Sequence, residues 1–132
     1  MAVIAPADEA GVAEAIRAAH AADRALELEG GGSRRGFGRP LQTADTLSLK
    51  ALTGVELYKP GELVIRARAG TPVAEVEATL ADAGQMLPFE PPDHRHLLGN
   101  DDALPTVGGL VAANLSGPAR IARGALRDSL IG

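Results

Sequence analysis

Hydrophobic and polar positions along the chain switch between two periods, and the switches mark the elements. Val12, Ile16 and Ala19 recur at helical spacing in an Ala-rich segment with Asp8 or Ala7 at the cap position, so a first helix is predicted. Leu26-Glu27-Leu28 follows as a short strand running into Gly30-Gly31-Gly32-Ser33, and another short strand is expected over Thr46 to Leu49. Val55 to Tyr58 and Glu62 to Ala69 are the next strands. Pro-Gly at the centre of Lys59-Pro60-Gly61-Glu62 is turn chemistry, so these two are expected to form a hairpin. In the second of them Leu63, Ile65, Ala67 and Ala69 share one face and Arg66 and Arg68 the other, as a half-buried strand requires.

Gly70-Thr71-Pro72 ends that strand and opens a helix, with Thr71 as expected N-cap and Pro72 at the first helical position. Val73, Val76 and Leu80 line one face of this helix, and Gly84 is its stop. Met86 to Phe89 reads as extended, and residues 90–105, rich in Pro, Asp, His and Gly, as a long loop or lobe boundary. From Thr106 to Pro118 a small-residue helix opened by Gly108-Gly109 is expected. Arg123 to Gly132 then reads as the approach to a further strand, an apolar run of the kind that suggests a fragment. The fold class expected is α+β, with helices on a mixed sheet.

Composition narrows the function. The length, 132 residues, is that of one domain. Aromatic residues are nearly absent, so the core must be aliphatic and single-stranded nucleic acid has no stacking platform. A formal net charge of −4 argues against a phosphate backbone as partner. Yet six of the 13 basic residues sit beside two glycine clusters: Arg34, Arg35 and Arg39 at the first, Arg120, Arg123 and Arg127 at the second. Either a local anionic ligand or a solvated surface accounts for each of them. No cysteine is present, which excludes disulfides, thiolate metal sites and a catalytic thiol. No apolar stretch reaches the roughly 18 residues of a membrane span, and no signal-like run opens the chain, so a cytoplasmic location is expected.

Three glycines in series after a strand free the backbone for unusual dihedrals and let a ligand approach where a Cβ would stand. Successive N–H groups there form an anion-binding concavity, and a pyrophosphate is its natural occupant. A flexible turn is the competing reading. Neither standard nucleotide fingerprint fits. No Gly-x-x-x-x-Gly-Lys string exists, and Arg34 to Pro40 shows no helix opening on the glycines.

The order of motifs resembles the FAD-binding domain of the vanillyl-alcohol-oxidase (PCMH) type. Gly30-Gly31-Gly32-Ser33 after an Ala-rich helix and short strand resembles its pyrophosphate loop, and Ala69 to Val73 the stretch that follows. Thr106-Val107-Gly108-Gly109 with Asn114 to Pro118 resembles its second cofactor contact. Phe89 to Asp93, Leu115 to Pro118 and Arg127-Asp128 are most similar to the branch of FAD-binding subunits of glycolate oxidases. The resemblance implies a two-lobed fold with the second lobe incomplete, residues 1–99 forming the first lobe and 100–132 the start of the second. It implies FAD as cofactor, with Gly30, Gly31, Gly32, Ser33 and Arg34 at the pyrophosphate. Thr106, Gly108, Gly109, Asn114, Ser116 and Gly117 would line the adenosine and ribityl portions, and Arg127 and Asp128 would lie near the flavin. The implied activity is FAD-dependent oxidation of the CH–OH group of a small 2-hydroxy acid such as glycolate, within a complex of several subunits. Related enzymes attach flavin through His or Cys; Arg34 after Ser33 and the lack of cysteine imply non-covalent FAD.

Other residues carry less. His94-Arg95-His96 has the spacing of a metal-ligand pair on a strand but sits in a loop, and no metal is assigned. Ser33 and Ser116 lack a nucleophile elbow and a histidine partner, so no catalytic residue is assigned. A non-catalytic nucleotide-binding module or an inactive fragment is the rival reading.

Overall fold

The computed structural model describes residues 2–43 and 45–132; Met1 and Ala44 lie outside the described residues. Three short parallel strands open the fold: β1 (Ala2–Ile4), β2 (Leu26–Glu29) and β3 (Asp45–Ser48), in the spatial order β1-β3-β2. Asp45 is opposite both Ala2 and Leu26, and Leu47 opposite both Ile4 and Leu28, so β3 is the shared centre. Its four residues are all buried, Leu47 completely. The Asp45 carboxylate accepts from the Ala2 N–H and pairs with Arg24, tying both edge strands to the centre. The sequence pattern gave no sign of β1, which is three residues long.

Helix α1 (Glu9–Ala21) crosses between β1 and β2, capped by Asp8, whose side chain accepts from the Gly11 N–H at 2.8 Å. Val12 and Ala19 on its expected apolar face are half-buried, whereas Ile16 is exposed. Beyond β3 the predicted hairpin is present as β4 (Val55–Lys59) and β5 (Val64–Ala67), antiparallel, and among the described residues it forms a sheet of its own. The expected single mixed sheet is thus two sheets. Pro60–Glu62 closes the hairpin as a 3-10 turn, and Leu63 leaves it with φ +55°. That extra turn takes Leu63 out of the strand register, so it is exposed rather than core-facing.

Helix α2 (Val73–Asp82) buries Val73, Val76 and Leu80 as predicted and stops at Gly84, φ +67°. Thr71 is not its cap. Pro72 holds that position, and the Thr71 hydroxyl, fully buried, accepts from the Gly54 N–H at 3.0 Å instead. Helix α3 (Val107–Ala113) is capped by Thr106, whose hydroxyl accepts from the Gly109 N–H at 3.3 Å. Val73, Phe89, Leu110 and Leu126 form the main core cluster, with Leu87 and Val111 against it. It joins α2, the extended stretch before the long loop, α3 and the C-terminal stretch.

After the short helix α4 (Arg120–Arg123) the expected approach to a strand is instead a 3-10 turn, Leu126–Ser129. Asp128 accepts from the Ala125 N–H at 2.8 Å, which closes the chain on itself while Leu126 drops into the core. Ladder pairing and this local turn compete for the same backbone, and the turn also buries a leucine.

Candidate functional site

The glycine loop leaves β2 and forms one wall of a cleft of about 460 Å³. Gly30, Gly31, Gly32, Ser33 and Arg34 line it together with Thr106 and Gly109, so the two glycine segments meet at one place. The second segment is held on the stretch that follows β5, and the first packs directly on the second, Gly30 against Thr106 and Gly31 against Leu104. Val107 N–H donates to the Thr71 carbonyl at 2.9 Å, Val73 N–H to that of Pro105 at 2.9 Å, and Gly108 N–H to that of Ala69 at 2.7 Å.

The loop needs glycine for a different reason from the one its sequence suggests. A Cβ on Gly31 would overlap the Leu104 carbonyl, and one on Gly30 would overlap the Thr106 hydroxyl. Both directions point into protein, so Gly31 lets two backbones touch and Gly30 makes room for the capping threonine, rather than clearing a path for ligand. Gly32 is the conformational case, at φ +75°, where a Cβ would meet only ordinary contacts with Arg35 and Glu29. Among the described residues, no acceptor is found for the N–H groups of Gly31, Gly32 or Ser33, although Ser33 is buried. Gly31 and Gly32 are half-buried, and a donor in a buried residue such as Ser33 is normally paired. Successive N–H groups free of internal acceptors are the kind of backbone that can hold an anion.

Charge around the cleft is mixed. Arg34, Arg35 and Arg39 all line it, as do Glu27 and Glu29 from β2. Arg35 spans both carboxylates, at 2.6 and 2.8 Å, and Lys50 adds a second pair to Glu29 at 2.8 Å. That leaves Arg34 and Arg39 without an ion pair among the described residues. The Arg34 guanidinium donates to the Pro92 carbonyl at 3.0 Å, and its Nε is buried without a partner. Burial lowers the Arg34 pKa from its ordinary value, with the Asp93 carboxylate opposing that shift. Asp93 itself is held at about 2, first by the side-chain hydrogen bond from Arg95.

The other expected site residues lie outside this cleft. Gly108 is packed on Ala69, where a Cβ would stand 2.9 Å from its carbonyl oxygen. Asn114 ends α3 in the left-handed region, φ +44°, and is exposed. The Ser116 hydroxyl is buried without a partner among the described residues. Gly117 makes room for Glu90, whose carboxylate accepts from the Ala119 N–H at 2.8 Å at the start of α4. Arg127 and Asp128 are exposed on the last turn, and Arg120 and Arg123 are exposed as well. The first arginine group therefore faces the cleft, and the second is solvated.

Two features escaped the sequence reading. One is the acidic pair Glu27 and Glu29, two residues apart on β2, a spacing that puts both on one face of a strand. The other is the part played by residues 92–104. Phe37 meets His94 edge-on with ring centroids 5.1 Å apart, and Asn100 donates to the Gly32 carbonyl at 2.8 Å. Among the described residues no group of three or more His, Cys, Asp or Glu side chains is placed to hold a metal, and no helix is long and apolar enough to cross a membrane.

The family described as FAD binding domain matches residues 1–132. The chain belongs to the FAD binding domain family. Its cofactor is FAD. The glycolate oxidase subunit GlcE of Escherichia coli (strain K12) is 44% identical over 107 residues, 81% of this chain and 28% of that protein. Among solved structures, alkyldihydroxyacetonephosphate synthase superposes with TM-score 0.72 at 20% identity, over 96% of this chain and 24% of that one. Aclacinomycin oxidoreductase gives TM-score 0.69 at 21% identity, with 96% and 24% covered. At those identities the structures establish the fold alone. The chain spans about a quarter of the length of these relatives.

Proposed function

We propose that this FAD binding domain holds the pyrophosphate of a non-covalently bound FAD on Gly30 to Arg34, as part of a flavin-dependent oxidase or dehydrogenase of a small 2-hydroxy acid such as glycolate. The observation that carries the reading is the run of acceptor-less N–H groups at Gly31, Gly32 and Ser33, in a cleft that Thr106 and Gly109 of the second resembling segment also line. When bound, the flavin supplies two-electron chemistry by taking up hydride. The residues of this chain supply position and charge. The loop N–H groups bind phosphate oxygens, Arg34 adds a cation that half-burial keeps from full hydration, and Thr106 and Gly109 close the wall opposite. Asn114, Ser116 and Gly117, with Gly108 behind them, are proposed to follow the adenosine and ribityl portions, and Arg127 and Asp128 to lie near the flavin. The orphaned Ser116 hydroxyl fits such a contact. On this reading residues 1–99 are a first lobe and 100–132 begin a second, the substrate is handled elsewhere, and further subunits complete the enzyme, as the 44% identity to a glycolate oxidase subunit supports.

Titration of the purified protein with FAD, following flavin fluorescence, tests the reading. Saturable binding is expected, with ADP competing for the pyrophosphate loop. Acid precipitation should leave all the flavin in the supernatant, because Arg34 follows Ser33 and no cysteine is present. Binding of FAD that ADP leaves untouched would place the pyrophosphate elsewhere.

A further inference from the structure

Residues 92–104 run alongside the glycine loop and touch it repeatedly. Leu104 presents its carbonyl to Gly31, Asn100 its side chain to Gly32, Leu98 its side chain to Gly36, and His94 its ring to Phe37. The segment is tied to itself by Arg95, which pairs with Asp93 at 2.7 Å and donates to the Ala103 carbonyl at 3.1 Å. Asn100 donates across 68 residues of sequence, and its partner is the carbonyl of the one loop glycine with positive φ.

The geometry points to Asn100 as a positioning residue for the pyrophosphate site, an inference that rests on the function proposed above. In a trans peptide the carbonyl and the next N–H point in opposite directions. Holding the Gly32 carbonyl therefore fixes the direction of the Ser33 N–H, one of the three donors without an acceptor. Gly32 alone would let that peptide rotate, since glycine is at home on both sides of φ zero. The Gly32 carbonyl also accepts from the Arg35 N–H at 3.2 Å, so two donors lock it from the loop and from outside. Only the amide nitrogen of Asn100 can face a carbonyl, so the role calls for a donor. A carboxylate of the same shape would repel the carbonyl and any phosphate beyond it.

The experiment compares the protein with Asn100→Ala and Asn100→Asp, reading FAD and ADP affinity, the unfolding temperature without ligand, and hydrogen exchange of peptides covering residues 30–35. Affinity for both ligands is expected to fall about tenfold in Asn100→Ala and further in Asn100→Asp. Exchange at 30–35 should rise in both without ligand, while the unfolding temperature stays close to that of the parent. Unchanged affinity in both variants, with the parent binding FAD, overturns the inference and leaves the pyrophosphate reading standing. A parent that binds neither FAD nor ADP overturns that reading instead. Exchange then judges Asn100 by itself, and unchanged protection at 30–35 removes it as the residue that holds the loop. A large fall in unfolding temperature with unaltered affinity assigns Asn100 a purely structural part and also overturns the inference.

Discussion

The glycine loop at residues 30–34 and the stretch from Asn114 to Asp128 were expected to touch the same cofactor, and they are built in opposite ways. The first satisfies few of its own backbone donors and borrows its shape from distant segments, through Leu104, Asn100 and Pro92. The second has one distant anchor, Glu90, and otherwise closes on near neighbours: Arg123 N–H to Ala119, Gly124 N–H to Arg120, and Asp128 back to Ala125. From residue 117 on, most of the second region's backbone donors are used within the chain, and only the Ser116 hydroxyl is a buried side-chain group without a partner among the described residues. The first region leaves consecutive backbone donors lining a cleft. Within this chain the binding energy for FAD should therefore be concentrated at the first region.

The harshest way to break that contrast is Gly31→Val. A side chain there must displace the Leu104 backbone, so FAD binding should be abolished and the fold weakened by about 3 kcal/mol, the upper end for forcing atoms into packed structure. Denaturant unfolding and released flavin measure the two effects. Parent-like stability would mean that the loop and residues 92–104 part easily, against the packing described above.

Much of the contrast could not be seen in the one-dimensional pattern, and the reason is distance along the chain. The hairpin was legible because Pro60-Gly61 determines its turn locally, and α2 because Val73, Val76 and Leu80 repeat at helical spacing. Thr71 was misread as a cap because its hydroxyl is taken by Gly54, 17 residues away. Leu63 was placed in the core because alternation assumes that the strand begins where the turn ends, whereas the 3-10 turn uses one residue more. The final strand failed for a tertiary reason, since the turn sets Leu126 into a core built from residues 73, 89 and 110. The glycine loop was found by its composition, but its purpose was half misjudged. Nothing in Gly30 and Gly31 announces that a segment more than 70 residues later will lie against them.

A gentler comparison sets Arg34→Met beside Arg127→Met. The first removes a half-buried cation from the cleft wall and should lower FAD affinity about tenfold, which corresponds to about 1.4 kcal/mol. The second removes an exposed cation and should change affinity less than about threefold, by the modest worth of solvated charges. Its proposed place near the flavin should appear instead as a shift of the flavin absorption bands. Equal losses in both would dissolve the distinction between the regions.

The smallest effect concerns pH. Asp93 is held at about 2, below its ordinary 3.8, so the stabilisation it brings is complete above about pH 4 and is lost as pH falls toward 2. The carboxylate is exposed, and water screens much of the interaction. The difference in unfolding temperature between the protein and Asp93→Asn should be slight at pH 5 and vanish near pH 2. A difference that persists unchanged at pH 2 would assign the stability to shape rather than charge.

The strand order has a kinetic side. Because β3 lies between β1 and β2, the first two strands have no sheet to join until residue 48 has left the ribosome. The glycine loop in turn has no opposing wall until residues 98–109 follow. Pairing so remote in sequence carries a loop-closure cost before any contact repays it, and it slows folding. The cleft proposed for the cofactor should therefore be among the last parts of this chain to organise. FAD present during refolding would then act late, trapping the assembled wall rather than seeding it.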